Sequence, residues 1–177
     1  MAAKVEASES AKSLPLVQRD HRRTFPDNLY VYAVVSRRSK GVSIGINLNP
    51  DKICNFDCVY CQVDRKTVPL VKDVNVQRLL QEVEGMLDLV ASGELFDIER
   101  FHDTPPALRR LNDIAFSGDG EPTTCLDFLP IVEAVAEIKM RRGLETVKLV
   151  LITNASRFHH PPVAQALAAL DANHGEI

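Results

Sequence analysis

The stretch 41-GVSIGINLNPDKICNFDCVYC-61 joins a strand-like alternation to three closely spaced cysteines. Val42, Ile44 and Ile46 alternate with small or polar residues, and a period of two predicts a strand with one bulky face. Pro50 has no amide hydrogen with which to continue a ladder, so we expect the strand to end there. The three thiols would then lie in a loop that directly follows the carboxyl end of a strand.

The rest of the chain alternates between strand and helix patterns. Upstream, 28-NLYVYAVVS-36 is rich in β-branched and aromatic residues, which predicts a strand. Downstream patterns predict, in chain order, a helix from Val76 to Val90 capped by Asn75 and stopped by Gly93, a strand at 113-DIAFSG-118, a helix over 127–141, a strand at 147-VKLVLIT-153 and a helix over 161–170. This order predicts an α/β fold with a parallel sheet and right-handed crossovers.

Polar, chemistry-bearing segments follow each of three predicted strands. They are the cysteine loop, 117-SGDGEPT-123 and 153-TNA-155. Because parallel strands deliver their carboxyl ends to one edge of a sheet, we expect these loops to meet there.

Length and composition indicate one ordinary hydrophobic core. The chain has 177 residues, of which 45% are apolar and 25% charged, enough to fold without disulfides. We expect a flexible tail over residues 1–24 and one core domain over residues 25–177. No apolar run approaches the roughly 18 residues of a membrane span, and Glu6 and Glu9 argue against a transit peptide. These features predict a cytoplasmic protein with no membrane association.

A basic stretch lies near the amino terminus. Val17 to Lys40 contains six Lys or Arg residues against two Asp, whereas the whole chain has a net charge of −3. Such a stretch is able to neutralise nucleic-acid phosphates, although a solvated surface is the alternative.

Three thiols at Cys54, Cys58 and Cys61 admit several chemistries. A structural zinc needs a fourth ligand, either Cys125 or a histidine. A redox pair leaves Cys54 without a role, and a disulfide does not suit a reducing compartment. A four-iron cluster held by three thiolates fits the count and keeps one iron open. For Cys125, a small buried hydrophobic residue is the simpler interpretation.

The C-x3-C-x2-C spacing, with an aromatic residue before the last cysteine, resembles the signature of the radical S-adenosylmethionine (SAM) enzymes. The resemblance implies that Cys54, Cys58 and Cys61 bind a [4Fe-4S] cluster whose open iron chelates SAM, and that Tyr60 lies beside the adenine. It also implies reductive cleavage of SAM to a 5′-deoxyadenosyl radical. No catalytic residue is assigned from it.

The segment after the second of these strands resembles the family's glycine-glycine-glutamate motif, whose backbone receives the methionine amino group of SAM. Gly118, Gly120 and Glu121 would belong to this SAM-binding segment. Asp119 stands where the first of the paired glycines would be, so the usual main-chain geometry is not assured at that residue. Thr153 and Asn154 similarly resemble a Thr-Asn step that faces SAM.

The wider run 41–61, together with 116-FSGDGEPT-123, is similar to the radical SAM branch of the wyosine-base (4-demethylwyosine) synthases of transfer RNA. That resemblance implies a modified guanosine in tRNA as substrate and flavodoxin or ferredoxin as electron donor. It also implies a partial (β/α) barrel of six βα units, of which about three are present. We therefore expect the amino-terminal half of a longer protein, with an unpaired last strand.

Three functional hypotheses stay open on the sequence. They are a radical SAM enzyme, a zinc-binding nucleic-acid module, and a redox or scaffold domain whose site is inactive. A complete small α/β domain, or a half barrel completed by a partner or by self-association, is the alternative to a fragment.

Overall fold

Residues 23–36 and 38–175 are described by a computed structural model of the chain. They form an α/β domain on one open, mixed sheet with strand order β1-β2-β3-β4-β5, which confirms the predicted α/β class. The strands are β1 Val31–Ser36, β2 Gly41–Ile46, β3 Leu111–Phe116, β4 Lys148–Thr153 and β5 Ala172–Gly175. The helices are α1 Val76–Ser92, α2 Glu99–His102, α3 Phe128–Arg141 and α4 Pro161–Leu167, with short 3-10 helices at Glu94–Asp97, Pro106–Leu108 and Pro122–Thr124. Almost all of the tail predicted over residues 1–24 lies outside the described residues.

The sheet is not wholly parallel, and this corrects the prediction. Strands β2 to β5 run parallel, but β1 pairs antiparallel with β2 through the register Val31↔Ile46. Only residues 37–40 join the two strands, which suffices for a hairpin but not for a crossover connection. An edge strand therefore precedes the parallel part of the sheet.

Strand β2 ends earlier than Pro50, the predicted stop. The side-chain Oδ1 of Asn47 accepts a hydrogen bond from the amide of Asn49 at 3.0 Å. Such a bond to the backbone two residues ahead turns the chain out of the extended conformation. The turn comes directly after Ile46, the last residue of β2.

A fifth strand, β5, was missed in the sequence, and the predicted unpaired edge of β4 is wrong. The segment ANHG contains no β-branched residue and no Phe, Tyr or Trp, so its propensity for strand is low. It pairs parallel with β4 after Asp171, whose amide donates to the carbonyl of Leu149 at 2.9 Å. A carboxylate oxygen of Asp171 also accepts from the Leu149 amide at 2.7 Å and from Lys139 Nζ at 2.6 Å. These tertiary contacts, not local propensity, place the strand.

Helix α1 follows its predicted boundaries. The Asn75 Oδ1 accepts from the Arg78 amide at 3.0 Å, and Gly93 ends the helix at φ 85°. The buried Glu82 carboxylate accepts from the backbone amides of Leu29, Tyr30 and Val31 at 2.8–3.1 Å, which ties α1 to the start of β1. Among the helices of the described residues, none is long and apolar enough to cross a membrane.

The two faces of the sheet differ in composition. One face packs in the main core with residues of α1, α3 and α4, and its members include Val35, Ile44, Ile46, Ile114, Phe116, Leu149 and Leu151. The opposite face carries the small residues Ser43, Gly45 and Ala115, with the Tyr32 ring packed over Gly45. The Tyr32 hydroxyl donates to the carbonyl of Ser117 at 2.8 Å. This second face opens onto a shallow cavity that meets the carboxyl edge of the sheet.

Candidate functional site

Three loops meet at a solvent-open cleft of about 220 Å³ at the carboxyl edge of the parallel strands. They follow β2, β3 and β4, as expected for parallel strands whose ends share an edge. All ten residues that the family resemblance implies line this cleft, namely Cys54, Cys58, Tyr60, Cys61, Gly118, Asp119, Gly120, Glu121, Thr153 and Asn154.

The three thiols of the cysteine loop are free and accessible. Cys54 and Cys58 are half-buried and Cys61 is exposed. The amide of Val63 and the Arg65 guanidinium lower the pKa of the Cys61 thiol by hydrogen bonding to the thiolate. Within residues 23–36 and 38–175, no three His, Cys, Asp or Glu side chains converge as the ligands of one metal ion would. The thiols instead border the cleft separately.

Cys125 stands apart from these thiols. It packs against the hydrophobic core at the end of the Pro122–Thr124 turn and is not among the residues that line the cleft. Burial raises the pKa of its thiol. Its surroundings are those of a small apolar side chain, in agreement with the simpler interpretation of this residue.

Tyr60 lies on the cleft wall with 55% of its surface exposed. Tyr60 is therefore not a core aromatic residue. Its neighbours Phe56 and Val59 are also largely exposed, so the tip of the cysteine loop presents apolar surface to solvent.

Two glycines of the loop after β3 are required by close packing. A Cβ on Gly118 would lie 2.1 Å from Asn47 Oδ1, and a Cβ on Gly120 would lie 2.2 Å from the carbonyl oxygen of Ile53. Neither residue is at positive φ. The glycines therefore let the loop after β3 approach the chain that leaves β2.

We expect Gly118→Ala and Gly120→Ala each to lower the free energy of unfolding by about 1–3 kcal/mol, because the added methyl group overlaps backbone and side-chain atoms. Gly85→Ala is the matched control: it lies in α1 with no atom within 4 Å of the added Cβ. The control should gain about 0.5–1 kcal/mol from the better helix propensity of alanine. Urea unfolding measures all three, and an unchanged midpoint for Gly118→Ala would contradict the packing described here.

Asp119 occupies the position at which the resembling family has a glycine. Its φ is not positive, so a side chain is tolerated there. Its carboxylate accepts from Asn47 Nδ2 at 2.9 Å and lies 3.6 Å from Arg23 Nη1, and its amide donates to Asn47 Oδ1 at 3.0 Å. Arg23 also donates to the carbonyl of Gly118. Asn47 thus holds the loop after β3 through both the backbone and the side chain of Asp119.

Glu121 is the centre of a buried network that joins two of the loops. Its side chain is 3% exposed. One carboxylate oxygen accepts from the Thr123 amide at 3.2 Å, the Thr123 hydroxyl at 2.5 Å and the Thr153 hydroxyl at 2.6 Å. The other oxygen accepts from the Asn154 amide at 2.7 Å. The carboxylate therefore fixes the loop after β3 to the end of β4.

Thr153 and Asn154 use their polar groups within the protein. The Thr153 hydroxyl donates to Glu121 and accepts from the Ala155 amide at 2.9 Å. The Asn154 Oδ1 accepts from the Ser156 amide at 3.0 Å, and its Nδ2 donates to Asn55 Oδ1 at 2.9 Å. The left-handed conformation in this turn belongs to Ala155, at φ 59°, and not to Asn154.

Sequence reasoning missed the residues that connect the loops. Asn55, between the first two cysteines, donates to Ser156 Oγ at 2.7 Å as well as accepting from Asn154. Arg65 reaches from the cysteine loop to the loop after β3. Asn47 is one of the polar residues at the end of the alternating stretch, and its contacts with Asp119 were not foreseen. No periodicity or motif marks these positions, since each acts through a partner that is distant in sequence.

Comparisons with known proteins give relatives at low identity. No protein-family model matches the chain, and no solved structure matches it. The chain is 26% identical over 144 residues to a UPF0026 protein of Helicobacter pylori, a match that covers 80% of this chain and 40% of that protein. It is 30% identical over 128 residues to the UPF0026 protein of Methanocaldococcus jannaschii, covering 71% of this chain and 33% of that protein.

A protein named GTPase Obg from Brachyspira hyodysenteriae is 25% identical over 142 residues, which is 78% of this chain but 17% of that protein. The name describes that protein, and the match covers too little of it to carry the name to this chain. The chain spans about 40% of the length of the Helicobacter pylori relatives that it matches.

Proposed function

We propose that this chain is part of a radical SAM enzyme. It would bind a [4Fe-4S] cluster through Cys54, Cys58 and Cys61 and place SAM in the adjoining cleft. One observation supports this proposal above the others: the loops after β2, β3 and β4 border a single cleft that contains every residue implied by the family resemblance. Since these loops are far apart in sequence, only the fold brings them together.

The donor set fits a cluster with one open iron. Three thiols border the cleft, and its described lining contains neither a histidine nor a fourth cysteine. In such a cluster each thiolate binds a different iron, so the sulfurs need not converge on one point. A closed zinc site needs four ligands around one ion, and no observation in the described residues favours it. When bound and reduced, the cluster would supply the electron that cleaves the sulfonium of SAM to give the 5′-deoxyadenosyl radical.

The remaining walls of the cleft would hold SAM. The backbone of Gly118 to Gly120 borders the cleft, and Tyr60 offers an exposed aromatic face for the adenine. The polar groups of Glu121, Thr153 and Asn154 are already engaged within the protein: Glu121 accepts from the Thr153 hydroxyl and the Asn154 amide, and the Asn154 side chain bonds Asn55 and Ser156. We infer that these three residues shape the wall and keep it in place, and that the backbone of the neighbouring loop contacts SAM.

The open sheet suits a partial (β/α) barrel of the radical SAM type. Strands β2 to β5 are parallel with helices packed on one face, and the other face carries small residues toward an open cavity. In a barrel that face would be the interior. About three of the six βα units would be present, followed by the fourth strand, and a substrate would approach SAM from this side.

A tRNA nucleoside is the proposed substrate, by resemblance to the wyosine-base synthases. The basic stretch that would meet the phosphates is described only in part, and its Arg23 already pairs with Asp119. Arg38 borders the cavity on the open sheet face. A flavodoxin or ferredoxin would supply electrons, and a reducing compartment such as the cytoplasm suits the free thiols.

Anaerobic incubation of the reconstituted protein with SAM, dithionite and bulk tRNA tests the proposal. We expect brown protein that forms 5′-deoxyadenosine, with tRNA raising its yield and altered nucleosides detected by mass spectrometry. Colourless protein that retains stoichiometric zinc would support the zinc module instead. If SAM is cleaved but tRNA neither raises the yield of 5′-deoxyadenosine nor gains a modified nucleoside, the tRNA proposal is wrong and the proposed SAM chemistry stands.

A further inference from the structure

Arg65 lies four residues after Cys61 and spans the cleft. Its Nη2 is 3.5 Å from Cys61 Sγ. Its Nη1 donates to the carbonyl of Lys52, at the entry to the cysteine loop, and to the carbonyl of Asp119 at 3.2 Å. One guanidinium therefore contacts a thiol and holds the two chain segments on either side of it.

We propose that Arg65 is a positioning residue for the cysteine loop whose positive charge stabilises the reduced form of the cluster proposed above. This inference rests on the proposed function. A guanidinium remains charged at any ordinary pH, and its planar fork allows it to contact the sulfur and the two carbonyl groups together. The two carbonyl contacts fix the charge beside Cys61, where a mobile lysine side chain would sample many positions.

The direction of the effect follows from charge. Three thiolates give a [4Fe-4S] site a net negative charge that increases by one on reduction, so a nearby cation stabilises the reduced state more than the oxidised state. Hydrogen bonds to the ligating sulfur act in the same direction. Of the two arginines that line the cleft, Arg23 faces Asp119 and the carbonyl of Gly118. Arg65, by contrast, contacts a cysteine sulfur, that of Cys61.

The test compares Arg65→Met and Arg65→Lys with the unaltered chain, and uses Arg110→Met as a control for the loss of one positive charge. Arg110 is exposed, directly precedes the amino end of β3 and does not line the cleft. Each reconstituted protein is analysed for iron and sulfide, and its midpoint potential is measured by a dithionite titration followed by electron paramagnetic resonance.

We expect Arg65→Met to have a more negative midpoint potential, with the ratio of reduced to oxidised cluster falling several-fold at a fixed applied potential. A tenfold change in that ratio corresponds to about 59 mV for a one-electron couple. Arg65→Lys should recover part of the difference, because it keeps the charge without the carbonyl contacts that fix it, and Arg110→Met should match the unaltered chain.

Two results would overturn the inference. One is an Arg65→Met protein with full iron content and an unchanged potential. The other is loss of the cluster from both Arg65→Met and Arg65→Lys, which would show that the carbonyl contacts matter and the charge does not. Loss from Arg65→Met alone, with retention in Arg65→Lys, would support the role of the charge. An unaltered chain that binds no iron would instead refute the proposed function.

Discussion

Cys54→Ser, Cys58→Ser and Cys61→Ser are each expected to reduce the iron and sulfide content from about four atoms of each per chain to near zero. A serine hydroxyl is not ionised near neutral pH and is a poor ligand for iron. With three protein ligands, the loss of one leaves a cluster held by two thiolates and exposed to solvent in an open cleft. Chemical analysis of iron and sulfide after anaerobic reconstitution measures the loss.

Cys125→Ser is the matched control for these variants. It makes the same atomic change at a thiol that packs on the core outside the cleft. We expect full iron content and a free energy of unfolding lower by about 1 kcal/mol, because a hydroxyl group replaces a partly buried sulfur. If Cys125→Ser lost the cluster as completely as the other three variants, a site with four thiolates would replace the present account.

Glu121→Ala is expected to lower the free energy of unfolding by about 2–4 kcal/mol. The substitution leaves the Thr123 and Asn154 amides and the Thr153 hydroxyl without their acceptor in a buried region. Each buried donor that loses its partner costs about 1–3 kcal/mol, partly offset because the carboxylate no longer has to be desolvated. Since domains are stable by only about 5–15 kcal/mol, this is a large share. The midpoint of urea unfolding measures it.

The effect of Glu121→Ala should also reach the cleft. Without the carboxylate, the loop after β3 is no longer fixed to the end of β4, so we expect weaker SAM binding by titration of the reconstituted protein. Glu121→Gln keeps one oxygen acceptor, so its stability and its affinity for SAM should lie between those of the unaltered chain and those of Glu121→Ala. Asn55→Ala is the control, because it removes an exposed link between loops and should change stability by less than about 1 kcal/mol. Full stability in Glu121→Ala would contradict the role assigned to the network.

Regular elements with strong local signals could be predicted from the sequence. The alternation of Val42, Ile44 and Ile46 marks β2, and Asn75 with Gly93 marks the two ends of α1. These features depend on neighbours within a few residues, where periodicity and capping act directly. Strand β5 could not be predicted in the same way, because it is placed by the distant partners of Asp171. The antiparallel pairing of β1 could have been predicted, because the connection over residues 37–40 is too short for a crossover.

The same distinction between local and distant interactions applies to the residues of the site. Cysteine spacing identified the three thiols, and the position of loops after parallel strands predicted that the segments would meet. What each residue does there could not be foreseen, because Gly118 and Gly120 are required by contacts with Asn47 and Ile53. Glu121 is likewise satisfied by donors up to 33 positions away in sequence. Such pairings appear only when the fold is known.

The electron paramagnetic resonance spectrum of the dithionite-reduced, reconstituted protein, recorded with and without SAM, tests the central claim most directly. It requires neither a substrate nor turnover. We predict a signal from a reduced [4Fe-4S] cluster whose g values shift when SAM is added, since SAM would bind the iron that has no thiolate. A cluster signal that is identical with and without saturating SAM, or iron-loaded protein with no such signal, would contradict the account.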